Sequence, residues 1–199
     1  MTASGNRPGQ PGVSVTQGNK KAKSYTDDAE YADSASLQID MQAIGVVHSS
    51  YKERFATPRQ ASLDTAQAAQ IHLNSGLNFE QAVKDLQNFS HIWVIYWMHL
   101  NQGWNPTVMP PRGPKVRRGL FATRAPHRPN SIGLSAVRLD HITGRVLHIE
   151  GHDMLDGTPV LDIKPYIPYA DLIAEANSGW LDESGLIDHG LTPQKSDLS

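Results

Sequence analysis

Three polar clusters hold the side chains that could bind a small charged molecule. Ser49 to Gln60 (SSYKERFATPRQ) is dense in hydrogen-bonding groups and ends in Pro58-Arg59-Gln60. Phe121 to Ser135 (FATRAPHRPNSIGLS) places two arginines, two prolines and Gly133 in a stiff, donor-rich loop. Asp153 to Tyr166 (DMLDGTPVLDIKPY) combines three carboxylates, Lys164 and turn residues. Carboxylates can neutralise an amine, while arginines and backbone amides can hold hydroxyls, carboxylates or phosphates. Each cluster also has an ordinary reading. Asp156-Gly157 and Thr158-Pro159 are common turn pairs, and Asp162 with Lys164 suits a cross-strand ion pair on a surface.

A second signal is electrostatic. Arg112, Lys115, Arg117, Arg118, Arg124 and Arg128 fall in one stretch with no carboxylate between them, the footprint of a surface that meets phosphates, or else a solvated loop. The chain as a whole carries a formal net charge of -2, but residues 41–170 hold 13 basic and 9 acidic side chains. The acidic excess therefore lies toward the two ends.

Other chemistries are excluded. There is no cysteine, so no disulfide framework, thiolate nucleophile or iron–sulfur cluster can form. Neither the dinucleotide fingerprint nor the P-loop occurs, so a nucleotide-like ligand must be held another way. Nine histidines show no metal spacing: His148 and His152 are four apart in a strand-like segment, on one face but well separated, and no metal is expected. No apolar run approaches the roughly 18 residues of a membrane span. A soluble, cytoplasmic protein is expected.

The elements that must position these clusters are mostly strands. Ile44 and Val46 alternate with Gly45 and Val47 before the polar stretch His48 to Gln60. His91 to Leu100 (HIWVIYWMHL) is apolar on both faces and reads as a buried central strand. Leu120 to Thr123, Leu134 to Ile142 and Val146 to Glu150 are further short β-prone pieces bounded by turn residues, which suggests an all-β barrel or sandwich. Asn78 with Gln81 resembles a helix start, and Phe79, Ala82, Val83 and Leu86 share one helical face. A second short helix is expected after Pro168, using Leu172, Ile173 and Ala176. Residues 1–38 are too polar and aperiodic to bury a core and read as a disordered tail, followed by one domain over 39–180 and a second tail over 181–199.

The run from Ile44 to Gln60 resembles the opening of the TsaA-like (YaeB, TrmO) family. So do Phe89-Ser90-His91-Ile92-Trp93, Gly103 to Val108, Gly119 to Arg124, Arg128 to Ser135 and Asp156 to Tyr166. These motifs are long, in order and cover about residues 41–170. The resemblance implies a single-sheeted β-barrel that binds S-adenosylmethionine as a homodimer, with the cofactor near the subunit interface. It further implies methylation of N6 of the threonylcarbamoyl-modified adenosine at position 37 of tRNA.

Carried over position by position, the resemblance places cofactor contacts at Pro58, Arg59, Gln60, His99, Leu100, Arg124, Leu134, Asp153, Met154, Leu155 and Asp156. Asp153 or Asp156 would then take the cofactor's amino group or ribose hydroxyls, Arg59 or Arg124 its carboxylate, and Leu134 and Met154 its flanks. Methyl transfer from a sulfonium needs mainly in-line positioning, but the N6 nitrogen must lose a proton. His99, His127 and Asp156 are the candidate bases, and Asn130 and Lys164 would orient the substrate. Arg112, Lys115, Arg117, Arg118 and Arg128 would meet RNA phosphates.

Ser131 and Ser50 stand where many relatives have proline, and the chain ends at Ser199 in an acidic tail where the bacterial enzyme continues into a further small domain. Cofactor binding survives that difference. Substrate identity is left open between tRNA, another methyl acceptor, and a cofactor-binding module without catalysis.

Overall fold

A computed structural model describes residues 38–53, 57, 58, 61, 67–111 and 114–183. Arg59, Gln60, Arg112 and nearly all of both tails lie outside the described residues. Among the described residues the chain forms eight strands: β1 (Gly45–Ser49), β2 (Ala68–Leu73), β3 (His91–Trp97), β4 (Thr107–Val108), β5 (Arg118–Gly119), β6 (Ile132–Thr143), β7 (Val146–Glu150) and β8 (Pro159–Pro165). Six of them close into a barrel in the order β1-β2-β7-β6-β3-β8, and β4 pairs with β5 outside it. All barrel pairings are antiparallel. The fold is mainly β and barrel-shaped, as the sequence suggests.

Period-two alternation explains the closure. Val47, Ile71, Ile92, Val94, Val137, Leu147, Ile149 and Val160 point inward and are sealed from solvent, while their neighbours point out. Six strands enclose a space that these side chains fill, so a ligand must bind at an end of the barrel or on its outside. One end is stoppered by Val83, Phe79 and Leu86, which pack against the core. The other end gathers the segments that follow β1 and β3 and the turn from β7 to β8. These segments are the three polar clusters.

Three local expectations change. The helix expected from Asn78 is only one turn, α1 (Phe79–Ala82), because Asp85 takes a left-handed conformation and Asn78 makes no side-chain cap. A 3-10 turn over Leu86–Asn88 completes the stopper. Leu120–Ala122 is likewise a 3-10 turn rather than a strand. The helix after Pro168, α2 (Pro168–Asp171), stops before Leu172 and Ile173, which stay exposed. A last one-turn helix, α3, spans Trp180–Glu183. No described helix is long and apolar enough to cross a membrane.

The apolar run His91 to Leu100 is buried on one face only. Ile92, Val94 and Tyr96 enter the core; Trp93 and Ile95 are half-buried and Trp97 is exposed on the outer wall. Beside them on β6, Leu134 is 55% exposed. The ion pair of Asp162 and Lys164 forms at 2.6 Å, but along β8 instead of across strands.

Candidate functional site at the barrel mouth

Asp153 sits where the strand ends converge. Ser135, on the inner face of β6, donates from Oγ to Asp153 Oδ1 at 2.6 Å. Tyr96, on the inner face of β3, reaches the same oxygen at 3.4 Å and Ser135 Oγ at 3.3 Å. Burial, then the Asp153 charge, push the Tyr96 hydroxyl well above its ordinary value, with Ser135 and the nearby Arg124 opposing the rise. Tyr96 is therefore a protonated donor at neutral pH, and the carboxylate is half-buried between two hydroxyls. Gly133 makes this possible: a Cβ there would overlap the Tyr96 ring.

Asp156, three positions on, is engaged differently. Lys52 Nζ lies 2.6 Å from Oδ2, the Ser49 N–H donates to Oδ1 at 3.0 Å, and His48 Nδ1 is 3.9 Å away. The Lys52 hydrogen bond, followed by that of Ser49, holds this carboxyl below the usual range. Backbone bonds complete the strap: Asp156 N–H to Tyr51 O at 2.9 Å, Gly157 N–H to Val47 O at 2.9 Å, and Ser49 Oγ to Met154 O at 3.1 Å. The first and third polar clusters are thereby stitched together.

Met154 and His152 form the floor. The Met154 side chain is 1% exposed and belongs to the core, so its side chain is closed off from the mouth. His152 is fully buried, takes the Met154 N–H on Nδ1 at 3.2 Å and lies 5.1 Å from the Tyr51 ring. Burial lowers its pKa. It does not share a face with His148, as the spacing suggested: β7 ends at Glu150, and the chain turns inward before His152. Among the described residues no three His, Asp or Glu side chains are grouped to hold a metal ion.

The other sequence-predicted residues surround this centre. Leu155 and Pro58 are half-buried; His99, Leu100 and Arg124 are exposed in loops after β3 and before β6. His127 Nδ1 lies 3.1 Å from the Gln102 carbonyl, tying those loops together. Asn130 is exposed just before β6. Leu134 and Ser135 are adjacent and so face opposite sides of the barrel wall: Leu134 outward, Ser135 toward Asp153. Lys164, paired with Asp162 on β8, lies at the register position of Trp93 and is not brought to the Asp153 cluster.

The basic residues keep their charge available. Arg117 donates to Thr107 Oγ1 and O at 3.0 Å each and pins β4 to β5; Arg118 lies over the Trp180 ring at 5.2 Å; Arg128 donates to Thr123 O at 3.0 Å. Among the described residues, none of these three, nor Lys115 or Arg124, forms an ion pair with a carboxylate.

Tyr96 and Lys52 were missed as site residues in the sequence. Tyr96 hides in an apolar run, and only the period of two with Ile92 and Val94 could have aimed it inward. Lys52 lies within the first cluster, but its partner is 104 positions away, across the barrel.

The arrangement offers a fixed carboxylate and a nearby guanidinium at a half-open mouth, suited to a zwitterionic ligand. Comparison with known proteins agrees in kind. A tRNA (adenine(37)-N6)-methyltransferase of Escherichia coli is 43% identical over 149 residues, covering 71% of this chain and 63% of that protein. A probable S-adenosyl-L-methionine-binding protein of Pyrococcus abyssi is 40% identical over 148 residues, covering 74% of this chain and 79% of that protein. The crystal structure of TrmO from Pseudomonas aeruginosa superposes with a TM-score of 0.63 at 40% identity, over 73% of this chain and 64% of that one. The chain thus spans somewhat less than two thirds of the bacterial tRNA enzyme's length. The sequence pattern of the tRNA-methyltransferase O N-terminal domain matches residues 46–172, and with the closed barrel and its three-loop mouth this establishes that the chain belongs to that family.

Proposed function

We propose that this protein is an S-adenosylmethionine-dependent methyltransferase that methylates N6 of threonylcarbamoyladenosine at position 37 of tRNA. The observation that carries the reading is the Asp153 carboxylate clamped by Ser135 and Tyr96, with the Arg124 charge felt at Tyr96, at the mouth built from the family's own motifs. A cofactor with an ammonium, a carboxylate and a sulfonium needs both signs of charge within one small site, and the residues present fit it. When bound, the cofactor supplies a methyl group already activated by its positive sulfur.

The protein's own part is positioning. Asp153 would hold the cofactor's cationic end, and its two hydroxyl donors fix the carboxylate before the ligand arrives, which reduces the ordering left to be done on binding. Arg124 would take the carboxylate. Arg59 and Gln60 remain proposed contacts, alongside Pro58, His99, Leu100 and Leu155. Among the candidate bases, His99 and His127 stand in loops at the mouth. Asp156 is ion-paired with Lys52 and is better suited to holding the strap than to accepting a proton.

A homodimer in the cytoplasm is part of the proposal. Trp97 and Leu134 leave the β3–β6 outer wall apolar and open, and Leu134 is turned away from Asp153. A ligand touching both kinds of surface is most simply held between two copies. A second reading, cofactor binding without tRNA methylation, is favoured by the Pyrococcus relative, which this chain covers more fully and whose name claims only binding.

Titration with S-adenosylmethionine tests the site. Asp153→Ala and Arg124→Ala are each expected to weaken binding more than tenfold; curves matching the unsubstituted protein would remove these assignments.

A further inference from the structure

Phe121 is the middle residue of the 3-10 turn Leu120–Ala122. Its side chain is 78% exposed, yet the residues on either side of it are hydrogen-bonded to the rest of the protein. Leu120 next to it is 2% exposed and anchors the turn, with its N–H donated to Pro106 O at 2.9 Å. Thr123 Oγ1 donates to Leu120 O at 2.8 Å, and Trp180 Nε1 donates to Ala122 O at 2.8 Å. An aromatic ring held out into water by this many bonds is preorganised for something flat. Mobile loops that expose apolar rings by chance are not built in this way.

The surroundings say what kind of partner. Arg128 places its guanidinium 5.5 Å from the ring centre, and that arginine is itself held by Thr123 O at 3.0 Å. Arg124, Arg118 and Lys115 belong to the same segment, with no carboxylate pairing among the described residues. An aromatic face backed by a guanidinium, in a field of uncompensated cations, is the combination that grips unpaired nucleobases and the phosphates between them. A second copy of this chain is a poorer occupant. A two-fold contact centred on the ring would set these cations against their own counterparts, whereas the apolar wall around Leu134 carries no such charge.

We infer that Phe121 is the stacking platform for one unpaired base of an RNA loop, with the Arg128 guanidinium over the ring and its charge available to a neighbouring phosphate. The platform lies three residues before Arg124, whose charge is felt by Tyr96 at the mouth, so stacking would hold the reacting loop near the barrel mouth. This rests on the RNA reading of the proposed function and adds the residue that selects single-stranded over paired RNA.

The test uses the full chain and an anticodon stem-loop RNA carrying fluorescent 2-aminopurine at position 37 or at a neighbouring loop position. The unsubstituted protein is expected to quench the fluorophore at one of these positions. Phe121→Ala should weaken binding about tenfold and abolish the quenching, and Phe121→Trp should restore both. The salt dependence separates stacking from charge: Phe121→Ala should leave the slope of affinity against salt unchanged, while Arg124→Ala should lower it by about 1. Because the ring is exposed, cofactor titration of both Phe121 variants should match the unsubstituted protein and so report intact folding. Binding and quenching that survive in Phe121→Ala overturn the platform while leaving the RNA reading in place. Absence of any stem-loop binding by the unsubstituted protein removes the RNA reading itself. Loss of dimer on sedimentation, with RNA affinity unchanged, assigns the ring to self-association and overturns the inference.

Discussion

Ser135 Oγ and Asp153 Oδ1 lie 2.6 Å apart, joining the inner face of β6 to the β7–β8 turn. A hydrogen bond to an ionised group contributes about 1.5–3 kcal/mol. If Asp153 meets the cofactor, Ser135→Ala frees the carboxylate to rotate without touching the ligand itself. The expected result is about tenfold weaker cofactor binding with an unchanged fold, measured by titration calorimetry and circular dichroism.

His152 sets a pH dependence of stability. Burial lowers its folded pKa below the ordinary 6.5, so between those two values the unfolded chain binds more protons than the folded one. Stability is therefore complete above pH 6.5 and declines as the pH falls through the window beneath it. In His152→Gln that slope should flatten, while overall stability drops because the new side chain must fit a sealed site. Urea unfolding between pH 7.5 and about 5 compares the two directly.

Asp156 carries the opposite kind of linkage. Its folded pKa lies below the ordinary 3.8, chiefly through Lys52, so its contribution is present above that value and fades as the pH drops through the folded pKa. Asp156→Asn should lower the melting temperature at pH 7 by a few degrees, with the difference from the unsubstituted protein shrinking below pH 4. In methyl transfer it should lower the rate by loosening the strap but leave the pH–rate profile unmoved. A shifted profile would instead return Asp156 to the list of bases.

How much of this could be read from the residues varies with the interaction's range. Alternation along β6 and β7 marked both strands, and each lies where the apolar period places it. The mouth was legible as three clusters because loops are where polar and turn residues accumulate. What joins the clusters was not legible: Ser135 with Asp153, or Lys52 with Asp156, depends on a barrel closure that local pattern does not encode. Helices failed for a local reason. One left-handed residue, Asp85, outweighs four well-spaced apolar positions because the core needs a stopper there and not a rod. Met154 shows the same limit, since a side chain matched by position to a ligand contact belongs to the core instead.

Leu134 tests the proposed dimer. Leu134→Glu puts a charge on the apolar outer wall beside Trp97 while leaving the inner face of β6 intact. Sedimentation is expected to shift from dimer to monomer, and cofactor affinity to fall at least fivefold with it. A dimer that persists with unchanged affinity would place the interface elsewhere.

The central claim is methyl transfer to one nucleoside. Purified protein, S-adenosylmethionine with a labelled methyl group, and tRNA from cells lacking this modification should be incubated together and the digested nucleosides identified by mass spectrometry. The label is expected on N6 of threonylcarbamoyladenosine from position 37, and none with Asp153→Ala. Unlabelled tRNA, from protein that binds the cofactor normally, would contradict it.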